Sequence, residues 1–435
     1  MNPMKKEPTP LSYTRRQFLH STGSLATILA IGASPAIFAQ GTPSKRVRVA
    51  VLGLNRGLAH LDAYAELHDV EIVAVCDADQ RRIASAIERV AAKNGQRPNG
   101  VQDFRRLLED PTIDAISIAM PNFWHAPATI LACSAGKHVY VEKPGSHNAR
   151  ESEWVVAAAR NHHRLVQMGN QRRSMPLFRQ AIEELHAKVI GPLRSARCWY
   201  DADRTSIGRG RPVPVPNWLN YSLWQGPTPE RPYVDNLVHY NWHWRWHWGG
   251  GELANNGIHT LDLARWGLGV ERPRIVTCHG GRYHFDDDQE TPDTILAGYD
   301  FGTVSVTWDG SSCAPRKNEG HALVTFYGDG GSMALFETNY TIFDTSGKIV
   351  RKETGATDSL SHFSNFIQAI RGEGSLNSDI SEGQKSTLLC HLGNLAWRTR
   401  STLTMDTGTG RMLHPTREQR RLWTREYRKG WEPKV

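Results

Sequence analysis

Most of this 435-residue sequence has no long apolar run, no net charge and no closely spaced pair of cysteines. Beyond the amino-terminal region, no apolar run is long enough to span a bilayer. The chain carries a formal net charge of +8, but residues 1–44 contribute +3 and residues 411–435 contribute +5, so residues 45–410 are neutral. Because a neutral body has no electrostatic footprint for a polyanion, the charge distribution argues against nucleic acid as a partner.

The cysteines carry no recognisable chemistry. Neither a C-x-x-C pair nor a metal-ligand spacing surrounds any of them, so we expect no bound metal and no cysteine nucleophile. An even count allows disulfides in an oxidising compartment. Cys76 ends a predicted strand and Cys133 lies in a predicted helix, so buried free thiols are expected at these two. The six cysteines are at positions 76, 133, 198, 278, 313 and 390.

The amino terminus is typical of an export signal. Arg15 and Arg16 precede Phe18 and a weakly apolar segment that runs from Leu25 to Ile37. Paired arginines before such a segment predict a twin-arginine signal peptide over residues 1–39, and hence export of the folded protein to the periplasm. An uncleaved membrane anchor is the alternative, although the segment is short for a bilayer span.

Residues 45–165 have the pattern of a Rossmann domain with a doubly wound parallel sheet. An alternating strand ends at the turn GLNRG, a helix follows, and a second strand ends at Asp77. In this fold the glycine turn and the helix amino terminus approach a pyrophosphate, and the acidic residue binds the ribose. Asp77 would repel a 2′-phosphate and favours NAD, although Arg81 and Arg82 leave NADP open. The predicted cofactor residues of the turn are Gly53, Asn55, Arg56 and Gly57.

The glycine turn departs from the usual G-x-G-x-x-G pattern. Glycine would be expected at positions 55 and 58, but the chain has Asn55 and Leu58 there, with Gly57 between them. Asparagine tolerates left-handed backbone angles better than most residues, so we expect Asn55 to allow the turn in that way.

A second pattern of strand, helix and strand runs from Ile116 to Pro144. Asn122 and His125 follow its first strand, and Glu142 and Lys143 follow its second. Since open parallel sheets bind ligands at the carboxyl ends of their strands, these residues are predicted to lie along one site. For His125 the alternative is helix capping, and for Lys143 it is a solvated strand end. We also expect Glu142 to pair with the cofactor's ribose or amide.

Residues 166–410 predict a second domain of the α+β class. Five short strands with little helix between most of them indicate a large, mostly antiparallel open sheet. A long insertion is rich in aromatic residues, and tryptophans alternate with polar residues from Trp242 to Trp248. If this stretch is extended, its indoles share one face, and we expect Trp246 to contact a sugar; burial in the core is the alternative. The basic tail, residues 411–435, has no predicted position.

Four stretches together resemble one family of sugar oxidoreductases. These are VAVLGLNRG, MPNFWHAP, AGKHVYVEKP and GGGELANNGIHTLDLARW, within residues 45–400. The family is the glucose-fructose oxidoreductase, inositol dehydrogenase and rhizopine-catabolism (Gfo/Idh/MocA) family. The resemblance implies NAD or NADP as cofactor, a sugar or glycoside as substrate, and a homo-oligomer, dimeric or tetrameric, formed through the open sheet. It also implies that His125 faces the nicotinamide and that Lys143 stabilises the alkoxide formed during hydride transfer.

The last of these stretches implies the acid–base group. Family members place an aspartate four residues before a histidine, whereas this chain has Asn255 before His259. Asparagine cannot accept a proton, so His259 is expected to be the general base, titrating near neutrality. Asn255 would bind the sugar, and Asp262 would orient the imidazole. A buried structural histidine is the alternative.

Three functions remain open at this point. The first is an exported NAD(P)-dependent sugar oxidoreductase, whose cofactor is tightly bound because the periplasm offers no dependable pool of free NAD. The second is a redox-neutral glycoside hydrolase that works through a 3-keto intermediate with the same residues. The third is a non-catalytic sugar-binding protein, supported only by Asn255 and the altered glycine turn.

Overall fold

The computed structural model describes residues 46–316 and 319–435. The predicted signal peptide, residues 1–39, therefore lies outside the described residues. Within the described ranges, no helix combines the length and apolar character that crossing a membrane requires. All six cysteines lie in this part of the chain as buried free thiols.

The first sheet has six parallel strands in the order β3-β2-β1-β4-β5-β6, which confirms the predicted doubly wound fold. Val49 and Val51 of the first strand face one layer of helices, whereas Ala50 and Leu52 face the other. Its strands are β1 (Val47–Leu52), β2 (Val70–Cys76), β3 (Asn99–Val101), β4 (Ala115–Ile118), β5 (His138–Val141) and β6 (Val166–Met168). Its helices are α1 (Gly57–Glu66), α2 (Gln80–Asn94), α3 (Arg105–Leu108), α4 (Asn122–Ser134) and α5 (Ala149–Asn161). Since β6 pairs with β5, the sheet extends past residue 165, the predicted end of this domain.

The second sheet has nine strands in the order β14-β13-β12-β11-β7-β10-β9-β8-β15. Only β7 and β10 pair in parallel within it, so the predicted antiparallel character is confirmed. Its strands are β7 (Leu193–Asp201), β8 (Ile275–Gly281), β9 (Thr294–Asp300), β10 (Ser305–Ser311), β11 (Val324–Gly328), β12 (Gly331–Leu335), β13 (Asn339–Phe343), β14 (Ile349–Thr354) and β15 (Leu403–Thr404). The remaining helices are α6 (Pro176–His186), α7 (Tyr221–Gln225), α8 (Ile258–Leu268), α9 (Leu360–Ile370), α10 (Ile380–Thr399) and α11 (Arg417–Leu422).

Two late segments pack back onto the first domain. Phe363 of α9 stacks on Tyr140 of β5, with ring centroids 4.7 Å apart, so α9 completes one helix layer of the parallel sheet. The basic tail is docked as well: the backbone carbonyl of Trp423 accepts a hydrogen bond from the backbone N–H of Arg150, in α5, at 2.9 Å. The tail therefore belongs to the packed body of the protein.

The aromatic insertion is not extended, so the condition under which its tryptophans would share one face is not met. Residues Asn241–Trp244 form a short 3₁₀ turn, in which successive side chains point in different directions. Trp242, Trp244 and Trp248 are buried, whereas Trp246 is half-buried, with its ring 5.9 Å from that of Trp397. Packing in the core accounts for most of this motif.

Candidate active site

A cavity of about 720 Å³ runs along the carboxyl ends of β1, β2, β4 and β5 and is bordered on its other side by the insertion. This volume lies in the range of about 300–1,000 Å³ typical of small-molecule and cofactor sites. The cavity is lined by ten of the predicted site residues: Gly53, Asn55, Arg56, Asp77, Asn122, His125, Glu142, Lys143, Asn255 and His259. Gly57, Trp246 and Asp262 are not among its lining residues.

The glycine turn after β1 depends on close backbone contact. Gly53 has φ +83°, and a Cβ added there would lie 2.6 Å from the backbone of Ala119 and Met120. Any side chain would therefore push apart the loops that follow β1 and β4. A Cβ on Gly57 would lie 3.2 Å from Val51, so this glycine lets α1 approach β1 instead of lining the cavity. Asn55 does not adopt positive φ, and the expected left-handed conformation there is wrong.

Asp77 lies where the fold binds a ribose. Its carboxylate accepts hydrogen bonds from the backbone N–H groups of Leu54 (2.7 Å) and Asp79 (2.9 Å). Burial raises the pKa of Asp77, and these hydrogen bonds oppose the shift. Each carboxylate oxygen can accept more than one bond, so Asp77 can still receive ribose hydroxyls. Both arginines that left NADP open pair with Asp79, at 2.9 Å for Arg81 and 3.8 Å for Arg82, and Arg82 also lines the cavity.

Glu142 is the buried centre of a hydrogen-bond network. Its Oε1 accepts hydrogen bonds from the Arg56 guanidinium (3.2 Å), the His60 imidazole (3.2 Å) and the Gln171 amide (3.0 Å). Burial alone would raise the pKa of Glu142, but the hydrogen bond from His60 and the charge of Arg56 hold it well below its usual value. These three contacts are all made to Oε1, and Oε2 accepts the backbone N–H of Lys143 at 3.2 Å. The network therefore supports the loops around Glu142, and the expected pairing with the cofactor stays a prediction.

Lys143 and His259 meet across the cavity although they are far apart in sequence. A π-helical turn, Leu253–Gly257, directly precedes α8 and brings Asn255 beside Lys143. The Lys143 ammonium donates hydrogen bonds to the backbone carbonyl of Asn255 (2.7 Å) and to its side-chain oxygen (3.3 Å). π-Helical turns are frequent at functional sites because they redirect side chains within a helix. Here the turn places Asn255 and His259 on the same cavity wall.

Burial shifts both of these groups toward their neutral forms. Burial lowers the pKa of Lys143, and the charge of Glu142 opposes that effect. Burial, with the nearby charge of Lys143, holds the pKa of His259 well below its usual value. The expectation that His259 titrates near neutrality is therefore wrong. Its imidazole is neutral at neutral pH and is available to accept a proton.

His125 joins the two loops of the cavity wall. Its Nδ1 lies 2.6 Å from the carbonyl oxygen of Pro144, and its Nε2 lies 2.7 Å from that of Met120. Both ring nitrogens thus face backbone carbonyl oxygens, and the ring itself lines the cavity. Because the two contacts of its ring are to carbonyl oxygens and not to N–H groups of α4, His125 does not cap this helix. His125 therefore connects the loop after β4 with the loop after β5, and the expectation that it faces the nicotinamide stays a prediction.

Two predicted substrate residues lie elsewhere. The Asp262 carboxylate forms a bidentate pair with Arg173 (2.8 and 2.9 Å) and accepts the Ser386 hydroxyl at 2.6 Å. The expected orientation of His259 by Asp262 is therefore wrong, because Asp262 lies one turn further on, on the buried face of α8. Trp246 lines a separate cavity of about 490 Å³, and the Arg398 guanidinium lies 4.8 Å from the centre of its ring.

Other residues of the site escaped sequence reasoning. Tyr240 projects from the insertion into the cavity, and the His239 imidazole lies 3.0 Å from Asp79, beside β2. Trp431, near the carboxyl end of the chain, also lines the cavity. The density of aromatic residues signalled that the insertion mattered, but nothing in the sequence identified which residues reach the site.

A glycine turn, an acidic residue after β2 and a lysine opposite a histidine define a nicotinamide dinucleotide-binding oxidoreductase. The family model described as "Oxidoreductase family, NAD-binding Rossmann fold" matches residues 47–170. The model of the same family's C-terminal alpha/beta domain matches residues 200–433. The chain therefore belongs to the Gfo/Idh/MocA family.

Two similar proteins match this chain over different shares of its length. The uncharacterized oxidoreductase YrbE of Bacillus subtilis is 28% identical over 70% of this chain and 77% of its own length. A "Glycosyl hydrolase family 109 protein 1" of Shewanella sp. strain ANA-3 is 30% identical over 33% of this chain, a match that spans only 36% of the relative.

Two solved structures share the fold. An aldose-aldose oxidoreductase from Caulobacter crescentus, complexed with glycerol, has a TM-score of 0.65 at 18% identity, covering 83% of this chain and 100% of its own. An oxidoreductase from Agrobacterium radiobacter, in complex with NAD+, L-tartaric acid and magnesium, has a TM-score of 0.63 at 15% identity, covering 83% and 98%.

Proposed function

We propose that the protein oxidises a hydroxyl group of a sugar or glycoside, with a nicotinamide dinucleotide as hydride acceptor. The observation that carries this proposal is that Lys143 and His259 line the same cavity as Gly53 and Asp77. The cavity volume, the backbone turn at Gly53 and the carboxylate of Asp77 fit a dinucleotide. The similarity to an aldose-aldose oxidoreductase supports a sugar as substrate.

Each residue of the pair has a distinct role in this proposal. When bound, the nicotinamide supplies the hydride acceptor. His259 accepts the hydroxyl proton as the carbon–oxygen double bond forms. Lys143 donates a hydrogen bond to the same oxygen and stabilises its developing negative charge. Asn255 orients the Lys143 ammonium through the contacts at 2.7 and 3.3 Å.

A second candidate is a redox-neutral glycoside hydrolase, which the similarity to glycosyl hydrolase family 109 proteins favours. Oxidation of the C3 hydroxyl would acidify the C2 proton and permit elimination of the aglycone. Water would then add to the unsaturated sugar, and return of the hydride to C3 would complete a net hydrolysis. Lys143 and His259 would be used in both directions of hydride transfer.

Incubation with aryl glycosides, without an added electron acceptor, separates these functions. Sustained release of the aglycone would establish the hydrolase. Oxidation of one sugar per bound cofactor, which resumes when an electron acceptor is added, would establish the dehydrogenase. A purified protein that releases no nicotinamide nucleotide on denaturation, and binds neither NADH nor NADPH on titration, would refute both and leave a non-catalytic binding protein.

We also propose that the protein is exported to the periplasm with a tightly bound cofactor, and that NAD is preferred because Asp77 occupies the ribose position. The support for export is the Arg15-Arg16 sequence. Replacing both arginines with lysine should keep the protein in the cytoplasmic fraction. Mature wild-type protein should begin near residue 40 by mass spectrometry. Full-length protein in the cytoplasm of wild-type cells would contradict export.

A further inference from the structure

The end of the chain contributes to the cofactor cavity through Trp431. The indole ring of Trp431 meets that of Trp124 edge-on, with centroids 5.2 Å apart, and Trp124 meets Phe104 in the same way at 5.4 Å. All three rings line the cavity, and together they are termed the aromatic wall. The guanidinium of Arg105 also packs over the Trp431 ring, 4.8 Å from its centre.

Two rings of the aromatic wall lie on the β3 side of the sheet, since Phe104 follows β3 and Trp431 packs against Arg105, whereas Trp124 lies in α4, after β4. Phe104 and Arg105 follow β3, which is the edge strand beside β2, and Asp77 follows β2. In the dinucleotide fold, the acidic residue after the second strand binds the ribose of the adenosine half. Lys143 lies beyond β5, on the opposite side of β1. The aromatic wall therefore faces the adenosine half of a bound dinucleotide.

Buried polar contacts of Arg425 and Tyr427 hold the segment that contains Trp431 against the first domain. The Arg425 guanidinium pairs with Glu151 at 2.7 Å, and their side chains are only 11% and 0% exposed. The Tyr427 hydroxyl donates to the same carboxylate at 2.7 Å, and Arg425 also donates to the backbone carbonyl of Phe123, in α4, at 2.6 Å. Since ordering a chain end costs conformational entropy, these buried contacts offset that cost and hold Trp431 in place.

We propose that the C-terminal segment, residues 423–431, retains the cofactor, with Trp431 providing an aromatic surface for its adenosine half. Aromatic side chains hold nucleobases by stacking, which needs no hydrogen-bond readout. This inference rests on the proposed function, because it requires a nicotinamide dinucleotide in the cavity. A cofactor held by its adenosine half would stay bound while its nicotinamide reacts with successive substrates.

The test compares wild-type protein with Trp431→Ala by titration with NADH, AMP and nicotinamide mononucleotide, followed by fluorescence or calorimetry. We expect the affinities for NADH and AMP to fall about tenfold and the dissociation of NADH to accelerate by a similar factor. The affinity for nicotinamide mononucleotide should be unchanged. Trp246→Ala is the matched control, because this indole lies outside the cavity, and it should retain wild-type affinities.

The possible results separate this inference from the proposed function. Wild-type protein that binds neither NADH nor NADPH would refute the proposed function. Wild-type binding with unchanged NADH affinity in Trp431→Ala would overturn the inference alone, and so would an equal loss of affinity for AMP and nicotinamide mononucleotide. If Trp431→Ala fails to fold by circular dichroism, Trp431→Phe and Trp431→Leu decide: Phe should keep AMP affinity and Leu should lose it, whereas equal affinities would refute the role of the ring.

Discussion

The two ends of the cavity are lined by different kinds of side chain. One end is polar: Lys143, Asn255 and His259 meet there, and burial lowers the pKa values of the lysine and the histidine. The other end is aromatic and consists of Phe104, Trp124 and Trp431. A reacting end needs groups that exchange protons, whereas a binding end needs apolar area that takes no part in the reaction. The comparison predicts that mutations at the two ends separate turnover from cofactor affinity.

The largest expected effect is on turnover, from His259→Gln. Glutamine retains hydrogen-bonding atoms but cannot act as a base at neutral pH, so kcat should fall by about 10²–10⁴-fold. Cofactor affinity should remain near that of the wild type, because the adenosine end is intact. The measurement is the rate of NADH formation with a panel of aldoses and glycosides. A variant that turns over at the wild-type rate would rule out His259 as the base.

The pH dependence sharpens the same prediction. A base whose folded pKa is lowered stays neutral, and therefore active, down to that lowered pKa, and loses activity only as the pH falls through it. The acid limb of kcat/KM should therefore lie below pH 6.5, the ordinary value for histidine. It should be absent from the residual activity of His259→Gln. A limb centred near neutrality in the wild type would contradict the buried environment described for His259.

The next prediction concerns the stability of the protein, which should fall when the buried pair of Asp262 and Arg173 is broken. Asp262→Asn would leave the buried Arg173 charge unpaired and should lower the free energy of unfolding by about 3–5 kcal/mol. Urea denaturation measures this change. The control is Asp300→Asn, which removes a largely exposed pair with Arg274 and should cost less than about 1 kcal/mol. Equal losses in the two variants would show that burial of the Asp262 pair is unimportant.

Next comes Lys143→Met, which keeps much of the length of the side chain but removes the hydrogen-bond donor. We expect kcat to fall about 10²–10³-fold, with cofactor affinity little changed. Stopped-flow measurement of the single-turnover rate would isolate the hydride-transfer step. The control Lys93→Met, on the exposed face of α2, should behave as the wild type. Loss of cofactor binding without loss of the single-turnover rate would reverse the assignment of the two ends.

The smallest expected effects concern the insertion. Tyr240→Phe removes a hydroxyl from a side chain that lines the cavity, and it should raise the substrate KM about fivefold. Trp246→Ala should leave KM unchanged, because its ring lies in the separate cavity against Trp397. Steady-state kinetics on the same substrate tests both variants. A larger KM effect from Trp246 than from Tyr240 would place the sugar in the second cavity.

Local patterns predicted the parallel sheet, apart from β3, and the loops at the carboxyl ends of its strands. The strands before Gly53, Asp77, Asn122 and Lys143 could be recognised because alternating or continuous apolar residues stop at turn residues. The strands β12 to β14 were not recognised. The contacts of these loop residues could not be predicted either. The position of Glu142 after β5 suggested a ligand-binding group, but nothing in the sequence predicted that its Oε1 accepts hydrogen bonds from Arg56, His60 and Gln171.

The sequence alone determined the fold class and the cofactor class, because these follow from short-range periodicity and from the turn after β1; the roles of Lys143 and His259 were implied by the family resemblance and stay a prediction. Only the tertiary structure decided that Trp431 lines the cavity, that Trp246 lies outside it and that Asp262 pairs with Arg173. These outcomes depend on how distant segments pack and on which polar groups that packing leaves without water. Burial, which sets the pKa of His259, is likewise a property of the assembled fold and not of the residues around it in the chain.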